Sequence, residues 1–309
     1  MDPRFSIIIP HYNIPDLLMR CLQSIPVSED VQVIVVDDHS PDAATYLDRY
    51  PELSRPYLEF VRAPKNGGAG YARNLGIHHA KGKWVLFADP DDFFVDDMYA
   101  IISRYAGSDA DVIYFKKKAV LSDDVNCPTS RDEYIDSIMD DYLKTGEELP
   151  LRTQYVVPWG KMMKKSLIEQ HGIRFDEIRY SEDMLFSTQV GFYAPKIAAI
   201  DTVLYVVTSR EGSAIANYCS KPDELRTRAD AAFRSDCFLL QHNVSHERLI
   251  VPFLQRMLRK DRKLFVDYFP KLNEIFPTKI AALKEIGKGC SLQFKAFLYL
   301  YSLLVWIRH

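Results

Sequence analysis

The sequence predicts an α/β fold: a mostly parallel central sheet flanked by helices, with a helical C-terminal appendage. Three observations predict it. Short β-branched runs alternate with helix-spaced apolar residues over the first ninety positions, each strand ends in a polar loop, and from about Ala216 the pattern changes to long charged helices. Alternation at that pace implies parallel strands joined by right-handed crossovers, so the loops that follow the strands gather at one edge of the sheet. The composition shift divides the chain into an expected α/β domain over 1–215 and a helical region over 216–309.

In chain order, Phe5-Ser6-Ile7-Ile8-Ile9-Pro10 reads as a buried strand and His11-Tyr12-Asn13 as its loop. Asp16 precedes Leu17, Leu18, Cys21, Leu22 and Ile25 at helical spacing. The second strand, Val31 to Val36, runs into Asp37-Asp38-His39-Ser40-Pro41-Asp42 and a helix from about Ala43 to Tyr50. The third, Leu58 to Arg62, leads into Asn66-Gly67-Gly68-Ala69-Gly70 and a helix carrying Tyr71 to Gly76. The fourth, Lys83 to Ala88, is stopped by Asp89-Pro90-Asp91-Asp92, where Pro90 has no N–H for a neighbouring ladder. Val112 to Phe115 is a further strand, and the acidic stretch Asp123 to Glu148 has weak helical periodicity. Long helices are expected from Asp223 to His242 and from Glu247 to Tyr268.

Composition excludes several classes. With 309 residues, 47% hydrophobic and 12% aromatic, the chain can bury a large core. A net charge of -3 and a pI near 6.3 give no global attraction to nucleic acid. The five cysteines are scattered and never form C-x-x-C, which argues for reduced thiols in a cytosolic setting. The eight histidines make no H-E-x-x-H. A strand begins almost at once, so no signal peptide is expected.

Each loop has a chemical reading beside a structural one. Three carboxylates within four positions repel unless something positive lies between them, such as a hard divalent cation; the alternative is an acidic turn in which Asp92 or Asp96 caps the next helix. Tyr12 can stack on a flat base or cover the core. Asp38 can accept from an imide N–H or a ribose hydroxyl, or cap a helix. The glycine loop at 67–70 suits phosphate or close packing, and Arg73 and Asn74 can reach a diphosphate or support the acidic loop. Arg179-Tyr180-Ser181-Glu182-Asp183 places paired acids ahead of an apolar helical run; they suit a general base, or Ser181 caps the helix with the acids at its positive end.

Taken together, Phe5 to Asn13, Val35-Val36-Asp37-Asp38-His39-Ser40, Ala72-Arg73-Asn74 and Ala88-Asp89-Pro90-Asp91-Asp92 resemble the inverting family 2 glycosyltransferases with the Rossmann-like GT-A fold. The resemblance implies a nucleotide-sugar donor, a UDP-sugar, and Mn²⁺ or Mg²⁺. It implies that Pro10 and Tyr12 hold the base, Asp38 reads its edge, Asp89 contacts the ribose or sugar, and Asp91 takes the metal on the diphosphate. It nominates Asp183 as the base that deprotonates the acceptor hydroxyl, with Glu182 as helper or acceptor ligand. Trp159-Gly160-Lys161 is similar to a W-x-K segment of the family, where Trp159 stacks on a sugar or lies in the core and Lys161 meets phosphate, a buried acid or the core rim. The stretch Tyr205 to Ser213 is similar to a family segment that would close Arg210 over the departing diphosphate. A noncatalytic nucleotide-sugar binder and a sugar nucleotidyltransferase are the alternatives; the latter calls for an N-terminal glycine-rich loop where Pro10-His11-Tyr12 stands.

The C-terminal region is rich in Lys and Arg and ends in Phe297 to Ile307, which is apolar all round but shorter than the roughly twenty residues of a spanning helix. It suits either packing on the body or peripheral contact with anionic lipid, as for an enzyme at the inner face of the cell membrane that acts on a glycan or lipid-linked sugar acceptor.

Overall fold

The computed structural model describes residues 2–210, 219 and 221–288. The chain divides into two compact units, Met1–Tyr218 and Cys219–His309.

The first unit is built on one eight-stranded sheet: β1 (Phe5–His11), β2 (Val31–Asp37), β3 (Leu58–Arg62), β4 (Trp84–Phe87), β5 (Phe93–Phe94), β6 (Val112–Leu121), β7 (Lys161–Lys164) and β8 (Ile197–Ser209). Their order across the sheet is β3-β2-β1-β4-β7-β6-β8-β5. β1 and β2 are buried along their whole length, which is why they read as continuous apolar runs rather than alternating ones. The neighbours β3, β2, β1 and β4 are parallel, as the alternation with helices predicts. The other half is mixed: β7 is antiparallel to β4 and to β6, β6 is parallel to β8, and β5 is antiparallel to β8. Side-chain periodicity marks a strand and its buried face but carries no sign of its direction, so this reversal was not encoded in the pattern.

Register places the loops. His11 lies opposite Asp37 at the ends of β1 and β2, and Ile8 lies opposite Phe87 at the end of β4. The turns after β1, β2 and β4 therefore leave the sheet side by side at its carboxyl edge, where open α/β sheets collect ligands.

Helices α1 (Pro15–Gln23), α2 (Tyr46–Arg49), α3 (Gly68–His79), α4 (Met98–Arg104), α5 (Glu133–Thr145), α6 (Glu148–Gln154), α7 (Lys165–Gln170) and α8 (Met184–Tyr193) complete this unit. α3 lies unusually close to the sheet: a Cβ at Gly76 would stand 2.3 Å from Cγ2 of Ile8. Only glycine allows that approach, which brings the start of α3 over the ends of β2 and β4.

The second unit contains α9 (Pro222–Gln241), α10 (Val251–Lys260), α11 (Arg262–Tyr268) and α12 (Lys279–Ile286). The single helix expected over 247–268 is two. Asp261 leaves helical geometry and its Oδ1 accepts from the Leu264 N–H at 3.0 Å, so the carboxylate begins a new helix instead of continuing the old one. Buried Asp236 accepts from the N–H groups of Leu249 and Ile250 and pairs with His246 at 2.7 Å, fixing the start of α10. No helix among the described residues is long and apolar enough to cross a membrane. The apolar tail Phe297 to Ile307 lies outside the described residues.

Candidate active site

The loop after β4 carries the three acids, and each meets a guanidinium. Asp89 Oδ1 accepts from Arg73 Nη2 at 2.7 Å, while its N–H donates to the Tyr205 hydroxyl at 2.7 Å. Asp91 Oδ2 lies 3.2 Å from Arg210 Nε, and its carbonyl accepts from Thr208 Oγ1 and from Arg20. Asp92 is fully buried; its Oδ1 accepts from the Thr208 N–H at 2.7 Å and faces Arg131 at 3.6 Å, while Oδ2 has no partner among the described residues. Burial pushes the Asp92 carboxyl well above the usual range, against the pull of Arg131 and with Asp91 and Asp89 adding to the rise. The positive charge that the acid run requires is thus supplied in large part by Arg73, Arg210 and Arg131. Neither Asp92 nor Asp96 caps the next helix, since α4 follows Asp97 without a side-chain cap.

The second acidic site is brought to the first by Arg73. Arg73 is 4% exposed, with Nη1 donating to Glu182 Oε1 and Nη2 to Asp89 Oδ1, both at 2.7 Å. Asp183 follows Glu182 at the start of α8 and makes no capping hydrogen bond, so its carboxylate is not used up by the helix. Ser181 stands in the left-handed region at φ 56°, and its carbonyl accepts from the Met184 N–H at 3.3 Å. Burial pushes the Asp183 carboxyl up to about 7; Glu182 adds to the rise, Arg73 opposes it, and Asp89 adds again. A carboxylate poised there is matched to taking a proton near neutral pH.

Asp38 is buried beside the glycine loop. Its two oxygens accept from the N–H groups of Gly67 at 2.7 Å and Gly68 at 2.8 Å, and its carbonyl accepts from Asn66. An anion thus sits on the first N–H groups of α3, the helix's positive end, and those donors are not left open for phosphate. Asn74 is bonded to the main chain of Phe175 in both directions, at 2.9 Å each. Pro10 is buried in β1, and Tyr12, just past the strand, is 49% exposed. Trp159 is buried and stacked on Tyr205 with ring centroids 5.7 Å apart, which makes it a core residue under the Asp89 loop. Lys161 is buried as well; it donates to the Tyr155 carbonyl at 2.8 Å, and burial lowers its ammonium to about 7 with the Asp183 charge opposing.

The sequence-predicted residues therefore fall into linked groups. Arg73 joins Asp89, Glu182 and the neighbouring Asp183; Asp91 pairs with Arg210; Asp38 organises the turn into α3; Pro10 and Tyr12 stand at the adjoining end of β1. Sequence reasoning missed Arg20 and Arg131. Arg20 reads as the basic residue expected in the last turn of α1, and Arg131 as one more charge in an acidic stretch, yet both reach the acid loop from distant elements.

Among the described residues no three acidic, histidine or cysteine side chains converge as a closed metal cage. Asp89 and Asp91 remain partly exposed, and each binds its arginine through one oxygen. That donor set fits a hard divalent ion of the Mg²⁺ or Mn²⁺ kind, which takes one or two carboxylates and completes its shell with substrate phosphates.

Residues 6–172 match the family described as Glycosyl transferase family 2. The putative glycosyltransferase EpsH of Bacillus subtilis (strain 168) is 27% identical over 253 residues, 78% of this chain and 70% of that protein. The poly(ribitol-phosphate) beta-N-acetylglucosaminyltransferase TarS of Staphylococcus aureus (strain Mu50 / ATCC 700699) is 28% identical over 236 residues, 72% of this chain but only 38% of TarS. The crystal structure of S. aureus TarS 1-349 in complex with UDP-GlcNAc superposes with a TM-score of 0.63 at 23% identity, covering 88% of this chain and 81% of that one. The mannosyltransferase PcManGT from Pyrobaculum calidifontis, in complex with GDP-Man and Mn²⁺, gives a TM-score of 0.54 at 21% identity over 98% of this chain and 81% of its own. Both superpositions show the same α/β fold, that of GT-A enzymes.

Proposed function

This chain belongs to glycosyl transferase family 2 and is a glycosyltransferase, and from that premise we propose a metal-assisted, inverting transfer of a sugar from UDP to a hydroxyl of a glycan or lipid-linked acceptor. The observation that carries the reading is the buried guanidinium of Arg73, bonded to Asp89 on the donor loop and to Glu182 beside a carboxylate poised near neutrality. Two functions of a displacement reaction, holding the donor and deprotonating the acceptor, then share one rigid link.

In this reading Pro10 and Tyr12 hold the base at the end of β1, the exposed ring of Tyr12 stacking on it. Asp38, by holding Gly67 and Gly68, shapes the wall that faces the base edge. Asp89 takes a ribose or sugar hydroxyl through the oxygen not given to Arg73, and Asp91, with Asp89 beside it, holds Mn²⁺ or Mg²⁺. The ion, when bound, neutralises charge on the departing diphosphate. Arg210, at the end of β8, turns its guanidinium from Asp91 toward that same charge. Asp183 takes the acceptor proton as the oxygen attacks the anomeric carbon and the bond to the diphosphate breaks on the opposite face. UDP as the donor nucleotide is supported by the TarS complex, a relative described with UDP-GlcNAc.

The test is a titration with UDP in the presence and absence of Mn²⁺, followed by a screen of UDP-sugars for nucleotide release. Tighter UDP binding with Mn²⁺ and release from one or a few donors is the expected result. UDP affinity indifferent to Mn²⁺, or no release from any UDP-sugar, contradicts the reading.

A further inference from the structure

We propose that Asn74 and Phe175 are positioning residues for the reaction: they lock the segment ending in Glu182-Asp183 onto α3 and so set where the base stands relative to the donor loop. The inference rests on Asp183 being that base.

Asn74 does for Phe175 what a neighbouring strand would do. Its Nδ2 donates to the Phe175 carbonyl and its Oδ1 accepts from the Phe175 N–H, both at 2.9 Å, so a loop residue without a ladder has its two main-chain groups satisfied by one side chain. The Phe175 ring is buried at a junction. It stacks on Phe186 with centroids 3.8 Å apart and meets the edge of Phe87 at 5.0 Å, while the Arg73 guanidinium lies 5.3 Å above it. Phe87 is the last residue of β4, two before Asp89; Phe186 is in the first turn of α8, three after Asp183. One ring therefore touches the strand that delivers the donor loop, the helix that carries the base, and the arginine that joins their carboxylates.

Gly70 completes the brace. A Cβ there would stand 2.1 Å from the Asp176 carbonyl, so the segment runs directly against the helix, and the Asp176 N–H donates to the Glu182 carbonyl at 3.1 Å. Positions 70, 73 and 74 are neighbours on one face of α3, by the three- and four-residue spacing of a helix. That face supplies a close approach, a guanidinium and an amide to the same segment. Asn74 acts on the reaction through Phe175, because its amide is consumed by that residue's main chain. Misplacing a reacting group by about 1 Å costs on the order of 10² in rate.

The test compares Asn74→Ala and the equal-sized Asn74→Asp, which keeps an acceptor for the Phe175 N–H but sets an oxygen against its carbonyl, with the wild type in steady-state nucleotide release and in hydrogen exchange. The expected result is a fall in kcat of about 10–100-fold with donor KM changed less than about threefold, and faster exchange over 173–183 with β1 and β2 unaffected. An unchanged kcat overturns the proposal, as does a loss confined to donor KM, which would assign Asn74 to the donor. Unchanged exchange over 173–183 overturns the brace alone. A wild type without turnover overturns the inference together with the reading of Asp183 on which it rests, and Asp183→Asn turning over as fast as an active wild type does the same.

Discussion

Asp183 stands where burial and the neighbouring Glu182 outweigh Arg73, and its carboxyl is held up to about 7. A base must be ionised to act, so kcat/KM, which follows the free enzyme, is expected to rise with pH through about 7 and to level above it; a kcat/KM that is flat across that range contradicts the assignment. The same shift has a consequence for stability. The folded value lies above the ordinary one of 3.8, so the folded state holds this proton more tightly than the unfolded chain does, and stability drains away as pH climbs from about 4 to about 7. Asp183→Asn, which cannot ionise, should match the wild-type melting temperature at about pH 4 and exceed it at about pH 8. A wider deficit of the variant at the higher pH would show that the carboxylate is instead stabilising. At this scale the sequence was legible where chemistry sits in a short run, as in Asp89-Pro90-Asp91-Asp92 and Glu182-Asp183. It was opaque where a partner comes from elsewhere. Nothing local in Arg20 or Arg131 marks them as reaching the acid loop, and nothing in Asp38 shows that both its oxygens are spent on the glycine loop.

Among the elements, α3 does most to assemble the site. It lies against β1 at Gly76 and against the base-bearing segment at Gly70, and its first turn sits on Asp38. A side chain at position 76 would have to displace Ile8, which is fully buried in the central strand. Gly76→Ala is therefore expected to destabilise the protein by about 1–3 kcal/mol, the usual range for overpacking a filled core, read as a lower urea midpoint; an unchanged midpoint would show that the helix can move away without loss. The first four strands and the parallel half of the sheet followed from periodicity, whereas β6 runs on to Leu121, past the Phe115 where the apolar run ends, and β7 carried no strand signal of its own. Nor did the direction of β7 or the break at Asp261 follow from periodicity. A four-residue strand gives no directional signal, and a capping aspartate inside a helical pattern looks like any exposed charge until its partner, the Leu264 N–H, is seen.

Over the whole molecule, charge is divided between the units. Basic residues outnumber acidic ones over 219–309, while the excess of acid lies in the preceding unit that carries the site. We infer that the C-terminal unit contacts anionic lipid, which would hold the enzyme near a lipid-linked acceptor. The chain of 309 residues is expected to sediment with vesicles containing phosphatidylserine and to be released by salt, whereas a chain ending at Lys288 should bind less. Equal binding by the two, or none by the longer chain, contradicts that inference. The family-level fold was readable because four strand-and-loop signatures recur in order over ninety residues, whereas the acceptor depends on cavity shape that no run of residues spells out.

Holding the donor and activating the acceptor are proposed to fall to different carboxylates joined through Arg73. That division is tested most directly by measuring, on one preparation of Asp183→Asn, both nucleotide release from the donor and UDP affinity with Mn²⁺ present. Release reduced by about 10²–10⁴-fold with affinity unchanged is the expected result. Turnover equal to the wild type, or a loss of UDP binding that parallels the loss of turnover, would contradict it.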